Sequence, residues 1–209
     1  MPDLAAGATP ELDDLRVACD TAIGRLWATA PDRVTVVATG DAPESATAPA
    51  DELRARFGAR GTARGRRAVG VLIGLWLLER QPAAVTATVR TVAADAAPAD
   101  CAALGREITA GPRVALLVMG DGSACHGVKS PGYEDSRADG FDATVRAALE
   151  SGEPDRLRDL DPALAADLLA AGRAPWQVLA GAAAGRRWHA SLDYHQAPYG
   201  VGYLVASWT

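Results

Sequence analysis

The sequence predicts an α/β domain of three layers, with a mainly parallel sheet held between helices on both faces. Three observations predict it. Two short segments, Arg33–Ala38 (RVTVVA) and Arg113–Met119 (RVALLVM), are apolar nearly throughout, the mark of strands buried on both faces. Apolar strands alternate along the chain with helix-length segments. The 209 residues, 49% of them hydrophobic, can enclose a core without metal or disulfide staples, so residues 1–209 read as a single domain.

Taken in order, Thr9-Pro10-Glu11 opens a helix with a capping hydroxyl, a proline that costs no amide bond and an acid in the first turn. Leu12, Leu15, Cys19, Ile23 and Leu26 then recur at helical spacing, which puts Cys19 on the core side. The strand over Arg33–Ala38 follows, ending at Thr39-Gly40-Asp41. Residues 40–67, rich in Ala, Pro, Gly and Arg, read as loop apart from a short helix over Asp51–Phe57. The arginines Arg54, Arg56, Arg60, Arg64, Arg66 and Arg67 read as solvated, with an anion site as the alternative; the glycines fit neither phosphate-binding spacing. Ala68–Leu78 (AVGVLIGLWLL) is apolar but short of the about 20 residues a membrane span needs, so it reads as a buried helix.

A strand over Ala84–Val92, a helix over Pro98–Thr109 and the second apolar strand come next. Helices then follow over Arg137–Glu150, near Asp155–Leu160, over Pro162–Ala171 and over Pro175–Ala184. Arg187–His195 and Gly200–Trp208 read as two final strands joined through Gln196–Tyr199. In the first of these, alternation puts His189, Ser191, Asp193 and His195 on one wet face and Trp188, Ala190, Leu192 and Tyr194 on a packed one. His189 and His195 then stand about 20 Å apart by strand rise, too far to share an ion.

Composition excludes several functions. A net charge of −5 supplies no cationic field for nucleic acid or anionic membrane, and Lys129 is the sole lysine. Cys19, Cys101 and Cys125 are odd in number and contain no CxxC pair, which speaks against a disulfide framework or zinc knuckle and for a reducing cytoplasm. The start, MPDLAAGATPELDD, has neither the basic nor the apolar region of a signal peptide.

Ligands of open α/β sheets gather where loops leave the carboxyl ends of the strands. Two loops qualify, Thr39–Glu44 and Gly120–Pro131. The second carries Asp121, Ser123, Cys125 and His126 within six positions of a buried strand. His126 is the leading catalytic candidate, because imidazole exchanges protons near neutral pH. Asp41, Asp121, Ser123 and Cys125 are the ligand-contacting candidates, though Cys125 also reads as a packing residue. Neighbouring side chains on an extended segment point apart, so Cys125 and His126 make a poor nucleophile and base pair. GDGSACHG also lacks the G-x-S-x-G turn of serine hydrolases.

Three stretches carry a family resemblance: VALLVMGDGSACHGVKSPGYEDSRADGFDATVRAAL, AAGRAPWQVLAGAA and QAPYGVGYLVASW. Together they resemble the class III extradiol ring-cleavage dioxygenases, most closely the actinobacterial proteins like the B subunit of those enzymes, with a Memo-like branch further off. The resemblance implies the fold of that class, with a pocket near Asp41, Gly120 and His126. It also implies that His126 is an acid–base histidine and that Fe(II) sits on two His and one Glu. The first implied ligand, in a His-Pro-Pro stretch, would lie just ahead of Met1–Leu4, which resembles the segment beyond it; the other two positions fall at Thr39–Asp41 and Ala170–Arg173, neither of which carries His or Glu, and Asp167, the nearest acid, does not fit the motif.

The expectation is therefore a family member without the usual iron triad that binds a small aromatic molecule or a partner. An iron-dependent ring-cleavage dioxygenase is the alternative, and a metal-free hydrolase or transferase using His126 a third reading. The resemblance further suggests a homodimer, and a natural chain that starts upstream of Met1 to supply the family's first strand.

Overall fold

The computed structural model describes residues 12–59, 69–80, 86–111 and 113–209. The expected features at Met1–Leu4, at Thr9–Glu11, in the arginine-rich segment 60–67 and at residues 81–85 lie outside these.

The sheet is built around β1 (Arg33–Gly40), which runs parallel to β3 (Thr86–Ala93) on one side and to β4 (Val114–Met119) on the other. An additional strand, β2 (Glu44–Pro49), lies antiparallel outside β3, giving the order β2-β3-β1-β4. This strand corrects the loop expected there. The segment has too many Ala and Pro residues to register as a strand alone, but pairing with β3 buries Ala46 and joins Thr47 to Thr88 through their hydroxyls at 3.0 Å. Its proline sits at the strand's outer end, where an edge tolerates a missing donor.

Alternation along the strands builds a core on each face. Val34, Val36 and Ala38 of β1 pack with Ala115, Leu117 and Met119 of β4 beneath α1 (Asp13–Ala28), α2 (Ala50–Ala59) and α3 (Val69–Glu79). Two glycines let α3 lie close on the sheet: a methyl on Gly74 would stand 2.8 Å from Val36, and one on Gly70 would stand 3.1 Å from Ala38.

On the opposite face Val37, Leu116 and Val118 meet α4 (Pro98–Ile108) and α8 (Arg173–Ala183). These two helices cross with their backbones in contact. A β-carbon on Gly105 would lie 2.0 Å from the Val178 carbonyl, and one on Gly181 would lie 2.1 Å from that of Ala102.

The helices α5 (Ala138–Ser151), α6 (Pro154–Arg158) and α7 (Pro162–Asp167) enclose a further cluster with the chain's last two strands. β5 (Ala190–Gln196) and β6 (Tyr203–Trp208) form an antiparallel hairpin that is a sheet of its own. Leu192 pairs with Ala206 while Tyr194 pairs with Val205, so Asp193 is an extra residue, a β-bulge. Past a bulge the alternation changes phase. Tyr194 is therefore the buried residue on the Ser191 side, and His195, opposite Leu204, joins the face that Leu192, Leu204 and Ala206 present to α5. The single wet face expected for His189 through His195 is thus broken at Asp193, whose carboxylate is held by Arg25 of α1 at 2.5 Å and by the Ser191 hydroxyl at 3.0 Å.

No helix among the described residues is long and apolar enough to cross a membrane.

Candidate functional site

Beyond β4 the chain from Gly120 to His126, which bends at Ala124 and again at His126, is tied on both sides by main-chain bonds. Gly122 N donates to the Gly202 carbonyl at 2.7 Å, Gly202 N to that of Ser123 at 2.8 Å, and His126 N to that of Gly200 at 3.1 Å. On the other side Ala124 N donates to the Leu168 carbonyl at 2.9 Å. The backbone of His126 is therefore fixed before its side chain is considered.

The ring stands between two carboxylates of α5. Nε2 lies 2.7 Å from Asp142 Oδ2, and Nδ1 lies 3.0 Å from Asp139 Oδ1. A neutral imidazole donates at one nitrogen only, so satisfying both acids takes the imidazolium. The two acids differ sharply in setting: the Asp142 side chain is 2% exposed, that of Asp139 94%, and the ring itself 15%.

Asp142 occupies the helix's apolar stripe, in phase with Ala138, Phe141, Val145 and Leu149. A buried carboxylate needs partners to remain charged. Its Oδ1 accepts from Ser123 N at 2.9 Å, and the chain closes around it at two glycines. A β-carbon on Gly122 would lie 2.7 Å from the carboxylate, and one on Gly202 only 2.0 Å away. The glycines of G-D-G-S and V-G-Y thus make room for the acid that orients the histidine.

His195 lies within electrostatic range of Asp142, Arg146 and His126; burial pushes its pKa down, Asp142 pulls it up, and the cations oppose protonation. Tyr203 is raised by burial and by the negative charge of Asp121.

The other candidates are placed as follows. The Ser123 hydroxyl, fully buried, accepts from Cys125 N at 3.1 Å and reaches the Leu168 carbonyl at 3.3 Å. The Cys125 thiol, 2% exposed, faces the carbonyls of Gly132 and Leu168 at 3.5 Å each and packs in the α5–α7 core. Both side chains are engaged inside the protein. Asp121 and Asp41 are exposed, Asp121 after β4 and Asp41 after β1, and neither is hydrogen-bonded to His126. The protein around Asp121 still raises its carboxyl pKa by partial desolvation, an effect its solvent contact limits. An open groove of about 490 Å³, lined by residues 151–155 and 186–188, includes none of these residues.

The sequence reading missed Asp139, Asp142 and His195. Asp142 had left a signal, an acid in the apolar phase of its helix. The displacement of His195 had left none, because the bulge depends on how β5 and β6 pair.

The carboxyl ends of the parallel strands converge on the start of α8. Thr39 Oγ1 donates to the Ala171 carbonyl at 2.7 Å, Gly172 N to that of Asp121 at 2.8 Å, and a β-carbon on Gly120 would strike Gly172 Cα at 2.3 Å. Arg173, itself buried, donates to the carbonyls of Ala94 and Ala96 and to Gln177 Oε1, which ties the exit of β3 to the same point.

Fe(II) of the kind the resemblance implies needs imidazole and carboxylate donors on one face of the ion. At this convergence the side-chain donors are the Thr39 hydroxyl, already bonded to the Ala171 carbonyl, and the exposed carboxylates of Asp41 and Asp121, with no imidazole in Thr39–Asp41 or Ala170–Arg173. Among the described residues no three His, Cys, Asp or Glu side chains come together to hold a metal. The donor set does not fit the iron. Compared with models of protein families and with curated proteins, the chain matches none.

Proposed function

We propose that this chain is a class III extradiol dioxygenase-like protein, with that class's three-layer fold, which binds a small aromatic molecule at His126 without iron. The observation that carries the reading is the His126–Asp142 pair. A buried carboxylate fixes one ring nitrogen, and the other faces the surface, where it can donate to or accept from a ligand hydroxyl. The convergence of Thr39 and Ala171 supports the family assignment, because the resemblance implies iron ligands at those two places. The residues standing there support the loss of the metal. The half-buried apolar residues along β4, at the edge of its sheet, accord with self-association into a homodimer, which analytical ultracentrifugation tests.

The deciding experiment measures iron content after anaerobic Fe(II) addition and removal of excess, then titrates catechol into wild type and His126→Ala. The expected result is no retained iron, catechol binding by wild type and none by the variant. Stoichiometric iron with O2 uptake on catechol would overturn the reading in favour of a ring-cleavage dioxygenase. Equal catechol binding by both proteins, or binding by neither, would overturn the assignment to His126.

A further inference from the structure

We propose that the Nδ1 edge of His126 binds an anionic oxygen of the ligand, and that Asp139 occupies this position in the free protein as a displaceable stand-in. The inference rests on the reading above and deepens it by naming the ligand's head group: a carboxylate or phenolate on the aromatic body.

The two acids on the ring are not equivalent. Asp142 cannot leave, since it is buried, bonded also to Ser123 N, and closed in by Gly122 and Gly202. Asp139 is 94% exposed in the first turn of α5, and His126 Nδ1 is its one side-chain hydrogen bond among the described residues. Water receives its carboxylate when it swings away, so displacement strands no buried group. The incoming oxygen replaces one negative oxygen with another, and the charge beside the imidazole is conserved.

The surroundings favour a singly charged head. Arg146 lies one helical turn beyond Asp142, exposed and without a hydrogen bond or ion pair among the described residues. His195 stands on the hairpin face turned to α5, brought there by the bulge at Asp193. Both lie toward the Asp142 side of the ring, so the Nδ1 edge keeps Asp139 as its one charged hydrogen-bond partner among the described residues. Exchange for the single carboxylate of Asp139 favours a monoanion over phosphate, whose second charge would stand across the ring from the buried Asp142 carboxylate.

Benzoate is the probe. Its binding is followed at fixed pH and ionic strength through the His126 imidazole in proton–nitrogen correlation spectra of wild type, Asp139→Ala and Glu134→Gln. Glu134 is an exposed acid of the preceding loop and controls for a general charge effect. A binding-competent fraction reduced by a weak internal ion pair predicts that Asp139→Ala binds about threefold more tightly than wild type. Glu134→Gln is expected to match wild type. Equal affinity in wild type and Asp139→Ala overturns the inference, as does equal tightening in both variants. If catechol perturbs His126 while benzoate affinity ignores Asp139, this inference fails and the function proposed above stands. If neither probe perturbs His126, both fail.

Discussion

Replacing Asp142 by alanine removes one carboxylate and orphans two donors. The first is Ser123 N–H, 2.9 Å from Oδ1 and attached to a fully buried residue. Leaving it without an acceptor costs about 1–3 kcal/mol. The second is His126 Nε2 at 2.7 Å, in a charge-assisted bond worth about 1.5–3 kcal/mol. Together these give a loss of about 3–5 kcal/mol, the range found when one partner is taken from a buried ion pair. Against a net stability of about 5–15 kcal/mol the change is large, and corresponds to a fall in melting temperature of roughly 10 °C. Asp142→Asn keeps the acceptor for Ser123 N and fills the cradle between Gly122 and Gly202, so its loss should be about 1–2 kcal/mol. Urea denaturation at neutral pH, with unchanged slope, measures both. A loss below about 1 kcal/mol for Asp142→Ala, or equal losses for the two variants, would refute the reasoning.

The helix crossing makes an independent demand: Gly181→Ala drives a methyl to within 2.1 Å of the Ala102 carbonyl, where backbone cannot yield, and should cost about 3 kcal/mol in the same assay. The thiols should separate by burial, with Cys101 and Cys125 unreactive toward a disulfide reagent in the native protein and all three cysteines reacting in urea; burial also raises the Cys101 thiol pKa. The turn into α5 should survive acid unusually well. Asp135 accepts from Arg137 N at 2.9 Å and pairs with its guanidinium, which lowers its pKa from 3.8 to about 2. A depressed carboxyl contributes fully above its unfolded value and loses that contribution as pH falls through the folded one, so this anchor should weaken only between about pH 4 and pH 2. A carboxyl-carbon titration with an Asp135 midpoint near 4 would contradict it.

Most of the parallel sheet was legible because its signals are local. The apolar runs around Val36 and Leu116 could be satisfied only on both faces, and the structure gives each strand a core on both sides. Helix periodicity was likewise legible, with ends displaced by a residue or two except at α7, expected to run to Ala171 but ended at Asp167, where Leu169 just beyond takes a left-handed backbone (φ 53°). What escaped was held by pairing. β2 is a strand because β3 offers a ladder, not because Glu44–Pro49 favours one. His126 stood out by its place after a buried strand, but its partner lay sixteen residues away on a helix, disguised as one more acid in an acidic chain. Ser123 and Cys125 were visible as chemistry-bearing types in the right loop, yet their side chains are spent on the Leu168 carbonyl and the core.

By itself the sequence determined the element types other than β2, the alternation that sorts residues onto two faces of the sheet, the loop that carries His126, and the absence of His and Glu at the iron positions the resemblance implies in Thr39–Asp41 and Ala170–Arg173. These follow from side-chain chemistry and short-range periodicity. Only the tertiary structure decided which acid buries itself against the histidine, which acid stays in water beside it, and that an extra residue at Asp193 turns His195 toward α5. The physical reason is common to all three. A hydrogen bond to a buried charge and the register of a hairpin depend on which segments meet across the fold, and the free energy of that meeting is written in no single stretch of chain.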